Sequence, residues 1–338
     1  MRPIRLGIIG CGIAARELHW PALQKLRDKF EIAAVCNHTE PKAKSFAELV
    51  GGVPYVLSYH DLLSRADIDA VDIVLPIHLN YQVTKDALLA GKHVIVEKPL
   101  AANLDQAKEL LLLDSKFALV KMVAENFRYR PTFARVKQII GTGEIGQPYS
   151  IFWNVFYYID RHNKYAQTQW RIHHQYRGGF ITDGGVHNIA VIRDLFGEIV
   201  SGCAFVKCIN RDLGESDTLS FQFATEQNVH GVFNLFFSAN GYAENRIIIL
   251  GTKGSLLIQN NEIQIKWQGQ ECRREIIEDD GGYCGQFEDF YQAIRTGKPI
   301  KSSFAQAYQD LRTIFMALES GEKQQRLHNF ESSEEMRR

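Results

Sequence analysis

A short apolar run leads directly into a glycine-rich turn at the start of this chain. Residues 4–9 are followed by residues 10–15, Gly-Cys-Gly-Ile-Ala-Ala, which fit G-x-G-x-x-A, and a helical pattern covers residues 14–26. Between a strand and a helix, the first glycine allows a tight turn and the second lets backbone amides approach a pyrophosphate, while a small third residue lets the helix pack on the strand. The turn predicts dinucleotide contacts at Gly10, Gly12, Ile13, Ala14 and Ala15.

Strand and helix patterns then alternate through the first 125 residues. Runs rich in Val and Ile cover residues 31–36, 70–75, 94–97 and 118–125. Helical patterns lie between them at residues 41–50, 81–90 and 104–113. They are apolar at nearly every position, which is typical of strands buried on both faces. The alternation predicts an α/β fold in which residues 1–125 form a Rossmann domain, a doubly wound parallel sheet that binds a dinucleotide.

Beyond residue 131 the pattern becomes mostly β. Leu219, Phe221 and Phe223 alternate with polar residues, as in a strand with one buried face, and residues 251–254 separate two strand patterns as a hairpin turn would. An apolar helical stripe over residues 304–318 would cover one face of such a sheet. Residues 126–338 are therefore predicted to form a C-terminal α/β domain on a mostly antiparallel open sheet.

Composition narrows the classes of function. The 338 residues suit two domains, and 39 basic against 39 acidic residues leave no positive surface of the kind that nucleic-acid binding requires. The sequence has no apolar run long enough to span a membrane, and the N-terminal run is too short for a signal peptide. Six scattered cysteines without a C-x-x-C pair indicate reduced thiols. We expect a cytoplasmic protein that binds neither nucleic acid nor membrane.

The residue after the second strand pattern bears on the choice of cofactor. An acidic side chain there would bind the ribose 2′-hydroxyl of NAD, but this chain has Asn37 followed by His38. Asn37 can hydrogen-bond a 2′-hydroxyl and would not repel the 2′-phosphate of NADP. No arginine stands beside it in the sequence to bind that phosphate, and only His38 and Lys42 are available. Asn37 and His38 are predicted cofactor contacts, and the choice between NAD and NADP stays open.

Three further motifs carry a family resemblance. Glu97-Lys98-Pro99 follows one strand pattern, residues 125–131 read Glu-Asn-Phe-Arg-Tyr-Arg-Pro, and residues 183–187 fit D-x-G-x-H. Together with the glycine turn, these motifs resemble the Gfo/Idh/MocA oxidoreductase family, which includes glucose–fructose oxidoreductase and inositol dehydrogenase. The resemblance implies a Rossmann domain followed by an α/β domain that binds substrate and whose open sheet mediates oligomerisation. It also implies oxidation or reduction of a carbinol of a sugar, polyol or related ring with NAD or NADP.

The resemblance implies catalytic roles for three residues. Lys98 would bind the reacting hydroxyl near the nicotinamide, and Asp183 and His187 would orient the substrate and move the proton. If a helix begins near Asp183, both side chains project from one face of its first turn, so that Asp183 could orient the imidazole of His187. The alternatives are a capping aspartate beside a core histidine, or a metal-binding pair; no third ligand follows at a recognisable spacing, so no metal is expected.

The resemblance also adds cofactor contacts and shows where this chain departs from the family. The added contacts are Leu75, Pro76, Glu97 and Lys98. Many members carry Thr-Pro-Asn-x-x-His after the fourth strand, whereas this chain has Ile77 and Asn80 at the Asn and His positions. Ala190 stands where an acid is frequent in the family.

The substrate pocket is predicted to include aromatic and arginine side chains, because sugars favour an aromatic face together with forked donors. Besides Lys98, Asp183 and His187, the candidate contacts are Arg128, Tyr129, Trp170 and Arg171. The alternative for these four is packing at the junction between the domains.

The leading hypothesis is an NAD(P)-dependent dehydrogenase or reductase whose partner is a small molecule of the sugar or polyol class. A non-catalytic regulator that senses the cofactor could use the same fold, although it would need none of the three catalytic candidates. A reductase of a larger conjugated substrate is the third possibility. Apolar strands around Phe221, Phe236 and Ile248 predict a homodimer or homotetramer formed through the C-terminal sheet.

Overall fold

The first sheet is parallel and has six strands. In the computed structural model, which describes residues 2–114 and 116–323, the strand order is β3-β2-β1-β4-β5-β6. The strands are Ile4–Ile9 (β1), Phe30–Cys36 (β2), Tyr55–Val56 (β3), Ala70–Ile73 (β4), His93–Glu97 (β5) and Lys121–Ala124 (β6). The intervening helices are Trp20–Lys25 (α1), Glu40–Leu49 (α2), Tyr59–Leu63 (α3), Ile77–Leu89 (α4) and Leu104–Asp114 (α5). The predicted α/β fold with a doubly wound parallel sheet is confirmed.

The order of this sheet determines where a ligand can bind. Strands β2 and β4 flank β1, so successive strands are added first on one side of β1 and then on the other. The crevice outside the carboxyl ends of the strands at such a switch point is the usual binding site in α/β sheets. The glycine turn follows β1 directly and therefore lies at this crevice.

The second sheet has eight strands and is mostly antiparallel, as predicted. Its order is β14-β13-β12-β11-β7-β10-β9-β8, and β7 and β10 form a parallel pair. The strands are Pro148–Phe156 (β7), Ile199–Lys207 (β8), Thr218–Thr225 (β9), His230–Phe236 (β10), Glu244–Gly251 (β11), Ser255–Gln259 (β12), Glu262–Lys266 (β13) and Arg273–Ile276 (β14). The helices of this part are Pro131–Gly141 (α6), Gln169–Ile172 (α7), Gly179–Phe196 (α8), Tyr283–Thr296 (α9) and Phe304–Glu322 (α10).

Helices α8 and α10 pack on one face of the second sheet. Phe221 lies on this covered face and is buried, as its alternation with polar residues predicts, and so it does not contribute to an exposed apolar surface. The other face, here called the outer face, carries partly exposed Phe236 and Ile248. Phe236 pairs with Phe156 and Ile248 pairs with Phe152 across neighbouring strands. The outer face therefore carries two apolar pairs that the described helices do not cover, and Asn154 and Asn234, which are hydrogen-bonded to each other at 2.9 Å, lie between the two pairs.

The first turns of two helices differ from those predicted, one in the type of helix and the other in the residue at which it begins. The helical pattern at residues 14–26 is a π-helical turn, Ala15–His19, followed by α1. Helix α8 begins at Gly179 rather than near Asp183, because Gly178 takes a left-handed conformation with φ of 81° and caps the helix there. Asp183 therefore lies in the second turn of α8.

Candidate active site

The glycine turn forms the floor of a cleft of about 550 Å³. Gly10 has φ of +106°, and a Cβ atom there would lie 2.1 Å from the carbonyl oxygen of Val74, so only glycine fits. At Gly12 no atom lies within 4 Å of a Cβ position. This open backbone cradle beside the sheet switch point fits the pyrophosphate of a dinucleotide.

Most of the predicted cofactor contacts come together in this cleft. The residues that line it include Gly10, Gly12, Ile13, Ala14, Asn37, His38, Leu75, Pro76, Glu97 and Lys98. Ala15 does not line it: its side chain is fully buried, because the third position of the motif faces the core rather than the ligand. Trp170 also lines the cleft, although the sequence predicted it in the substrate pocket.

Asn80 supports the loop that carries Lys98. Its buried side-chain nitrogen Nδ2 donates to the carbonyl oxygens of Glu97 at 2.8 Å and Pro99 at 2.9 Å. The peptide bond between Lys98 and Pro99 is cis. Asn80, which appeared in the sequence only as a departure from the family motif, thus fixes the backbone on both sides of the lysine.

Lys98 and Asp183 form a buried ion pair. The ammonium Nζ of Lys98 lies 2.7 Å from Asp183 Oδ1 and also donates to the Asp183 carbonyl oxygen, and Arg171 Nε lies 2.7 Å from Asp183 Oδ2. Burial opposes charge on both partners, but the carboxylates of Asp183 and Glu97 together outweigh it and raise the pKa of Lys98. Lys98 and Arg171 likewise outweigh burial and lower the pKa of Asp183 well below its usual range. Lys98 is therefore a fixed cation, and Asp183 is a carboxylate.

His187 is held by Glu125 rather than by Asp183. Its Nδ1 lies 2.6 Å from Glu125 Oε1, and its ring stacks on Phe127 with 4.5 Å between ring centroids. This corrects the expectation that Asp183 orients the imidazole, because both oxygens of Asp183 are occupied by Lys98 and Arg171. The sequence motif at residues 125–131 contains Glu125, but no local signal shows that its carboxylate reaches His187.

A second cavity of about 250 Å³ adjoins the cleft. The two share lining residues, among them Lys98, Arg171 and Asp183. The remaining wall of the cavity is part polar and part apolar, and includes Asn126, Phe180, His187, Phe237 and Tyr283. Lys98 and Asp183 therefore stand where a cofactor in the cleft and a small molecule in the cavity would meet.

Arg128 and Tyr129 lie outside both cavities, which corrects their prediction as walls of the substrate pocket. Arg128 is buried in an ion pair with Asp310 at 2.8 Å, and the Tyr129 hydroxyl donates to Asp289 at 2.9 Å. Both side chains therefore pack at the junction, as the alternative interpretation proposed. Arg171 is the arginine of the predicted set that reaches the site.

A buried triad beneath the site was not predicted. His19, at the end of the π-helical turn, places Nδ1 2.8 Å from Asp72 Oδ2 and Nε2 2.8 Å from Glu97 Oε1. Burial alone would lower the pKa of His19, but the two carboxylates outweigh it and raise the pKa to about 10. The other oxygen of Glu97 accepts a hydrogen bond from the backbone amide of Lys98. The triad thus links the helix after the glycine turn to the lysine loop.

Comparisons with known proteins agree with this geometry. Residues 4–124 match the GFO/IDH/MocA oxidoreductase family with its NAD-binding Rossmann fold, and residues 133–257 match the GFO/IDH/MocA C-terminal domain. The Saccharomyces cerevisiae protein YMR315W is 33% identical over 315 residues, which cover 87% of this chain and 88% of the yeast protein. Dehydrogenase FPY6 of Fusarium mangiferae is 30% identical over 332 residues, 92% of this chain and 94% of that protein.

Solved structures show the same architecture over nearly the whole chain. An oxidoreductase from Thermotoga maritima has a TM-score of 0.90 and 39% identity, and the match covers 95% of this chain and 97% of that one. The WlbA dehydrogenase from Bordetella pertussis, in complex with NADH and UDP-GlcNAcA, has a TM-score of 0.84 and 22% identity, with 96% of each chain covered.

Proposed function

The chain belongs to the Gfo/Idh/MocA oxidoreductase family, and from this premise we propose that it interconverts a carbinol and a carbonyl group of a sugar, cyclic polyol or related small molecule. It is an NAD(P)-dependent oxidoreductase. The observation that carries the substrate proposal is the position of Lys98, whose ammonium group borders both the cofactor cleft and the adjoining cavity.

The residues of the site suit this chemistry. When bound, the nicotinamide supplies hydride transfer to or from the substrate carbon. Lys98 would bind the substrate oxygen and stabilise negative charge on it as the reaction proceeds. His187 Nε2 has no hydrogen-bond partner among the described residues and borders the cavity, so it would take up or release the proton of that oxygen. Asp183, itself held by Arg171, would keep Lys98 in place, and Arg171 and Asp183 would contact substrate hydroxyls.

One relative that matches part of the chain supports a sugar as the substrate. A dTDP-3,4-didehydro-2,6-dideoxy-alpha-D-glucose 3-reductase of Actinomadura kijaniata is 37% identical over 145 residues, 43% of each chain. The cavity of about 250 Å³ offers both polar donors and the aromatic rings of Phe180 and Phe237, a combination that suits a sugar ring.

We further propose that the protein is a cytoplasmic homodimer or homotetramer formed through the outer face. The exposed or partly exposed apolar side chains Phe152, Phe156, Phe236 and Ile248 lie on this face, which supports self-association. All six cysteines are free thiols, which is typical of a reducing compartment. Among the described residues, the helices are too short or too polar to cross a membrane.

Turnover of NADH or NADPH across a panel of sugars, nucleotide sugars, cyclic polyols and their keto forms tests the function. We expect one class to react, and Lys98→Met to lower turnover at least about 10²-fold while binding of the reduced cofactor persists. The matched control is Lys85→Met, because Lys85 is a partly exposed lysine on α4 that lines neither cavity. Cofactor binding without turnover of any panel member in either direction would contradict the proposal and favour the regulator.

A further inference from the structure

The end of the cofactor cleft away from Lys98 is lined by two basic side chains and by no acidic one. His38 and Lys42 line the cleft there and are exposed, and neither forms an ion pair with a described residue. The carboxylates that line the cleft are Glu97 and Asp183, and both lie at the opposite end, beside Lys98. In a chain with equal numbers of acidic and basic residues, this local excess of positive charge requires an explanation.

Arg16 lies beside Lys42 in the structure, a position that the sequence did not predict. Arg16, in the π-helical turn, donates from Nε to the Cys11 carbonyl oxygen at 3.1 Å and from Nη2 to the Lys42 carbonyl oxygen at 3.1 Å. Its guanidinium packs over the ring of Phe46, 5.3 Å from the centroid. Arg16 therefore bridges the glycine turn and α2 beside Lys42, and its Nη1 has no hydrogen-bond partner in the described part of the chain.

Asn37 occupies the position where an acid would select NAD. Its side-chain oxygen Oδ1 accepts a hydrogen bond from the backbone amide of Cys11 at 3.3 Å, and its Nδ2 donates to the Thr39 carbonyl oxygen at 3.2 Å. The amide thus fastens the end of β2 to the glycine turn and offers no charged acceptor to a ribose 2′-hydroxyl. The nearby acid Glu40 accepts from the Tyr55 hydroxyl at 3.1 Å and does not line the cleft.

We propose that the cleft binds NADP(H) in preference to NAD(H), and that Lys42, His38 and Arg16 bind the 2′-phosphate. The inference rests on the proposed function, because it concerns the cofactor of the same site. A 2′-phosphate at this position would meet two side chains of the cleft wall and a free guanidinium nitrogen, and no carboxylate of the cleft wall would repel it. NAD(H), which has a hydroxyl there, would leave these donors unused.

The test compares dissociation constants of NADPH and NADH by fluorescence titration, and of 2′,5′-ADP and ADP by calorimetry, for the full-length protein. We expect the 2′-phosphorylated member of each pair to bind at least about tenfold more tightly. Lys42→Ala should weaken NADPH binding about tenfold and leave NADH binding unchanged. The matched control is Lys44→Ala, because Lys44 is an exposed lysine of α2 outside the cleft, and it should change neither constant.

Equal or tighter binding of NADH would overturn the inference while leaving the proposed function intact. A Lys42→Ala variant that loses both cofactors equally would overturn it as well, since the lysine would then contact a part that both share. Asn37→Asp should shift the ratio of the two dissociation constants toward NADH by at least about tenfold, because it adds a charged acceptor that repels a 2′-phosphate. If the protein binds neither reduced cofactor, the proposed function fails together with this inference.

Discussion

The imidazole Nδ1 of His187 lies 2.6 Å from the carboxylate Oε1 of Glu125, although the two residues are 62 positions apart in the chain. Glu125 follows β6 and is 2% exposed, while His187 projects from α8. A carboxylate that accepts from Nδ1 fixes the tautomer of the ring and leaves Nε2 to exchange a proton with a substrate. Glu125 is therefore a positioning residue for His187.

Replacement of Glu125 by Gln should lower kcat by about 10²-fold and leave the KM of the cofactor within about twofold. The amide preserves the shape of the side chain, but it can present its NH₂ group to Nδ1 and favour the wrong tautomer, and a misdirected catalytic group costs about that much. Steady-state kinetics with the substrate found in the panel provide the measurement.

Glu125→Asp should recover part of the lost kcat, because the carboxylate is retained on a shorter side chain. Thermal unfolding of the variants serves as a control for a purely structural effect. Equal losses in Glu125→Gln and Glu125→Asp, accompanied by equal drops in melting temperature, would show that Glu125 acts only through stability.

Most of the fold could be predicted from the sequence because the signals are local. Strands of the first sheet are apolar at nearly every position, and the glycine turn needs only neighbouring residues to be recognised. Lys98, Asp183 and His187 could be found because each lies in a short motif. The motifs do not show which side chains meet across the fold.

The missed relationships all depend on contacts between distant segments. Glu125 reaches His187 only because α8 packs beside the turn that follows β6, and His19 meets Glu97 across 78 positions. Arg128 carries no local sign that it pairs with Asp310, 182 positions away. Such pairs are determined by tertiary packing, which spacing along a single sequence does not encode.

The two glycines of the turn should respond differently to substitution. Gly12→Val should fold normally and bind NADPH or NADH at least about tenfold more weakly, because its side chain occupies the open cradle. Gly10→Ala should instead destabilise the protein, since its Cβ would lie 2.1 Å from the Val74 carbonyl oxygen. Cofactor titration and thermal unfolding of both variants distinguish these effects. Unchanged affinity in folded Gly12→Val would exclude the cleft as the cofactor site.

The outer face should form the interface between the subunits of the oligomer. Phe152 and Ile248 pair across β7 and β11. The double substitution Phe152→Arg and Ile248→Arg would place two charges in the proposed interface and should convert the protein to monomers. The matched control is Leu112→Arg, an exposed leucine on α5, which should leave the assembly intact. Sedimentation velocity at micromolar concentration measures the oligomeric state of the unmodified protein and of both variants. A monomeric unmodified protein would contradict the proposed assembly.

The stability of the protein should depend on pH through His19. The carboxylates of Asp72 and Glu97 raise the pKa of His19 to about 10 in the folded chain, whereas an unfolded histidine has its ordinary pKa near 6.5. The folded state therefore holds a proton that the unfolded state releases. The resulting stabilisation is complete below about pH 6.5, declines by up to about 1.4 kcal/mol per pH unit above it, and is gone above about pH 10.

Chemical denaturation of the unmodified protein and His19→Gln between pH 6 and pH 10 tests this linkage. At pH 7 the variant should be less stable by about 3–5 kcal/mol, the usual cost of breaking a buried ion pair. Its stability should also change less with pH, because glutamine carries no titrating proton, so the two curves should converge as the pH rises. The control His60→Gln replaces an exposed histidine of α3 and should follow the unmodified protein. Parallel curves for the unmodified protein and His19→Gln would mean that the buried imidazole does not hold the extra proton.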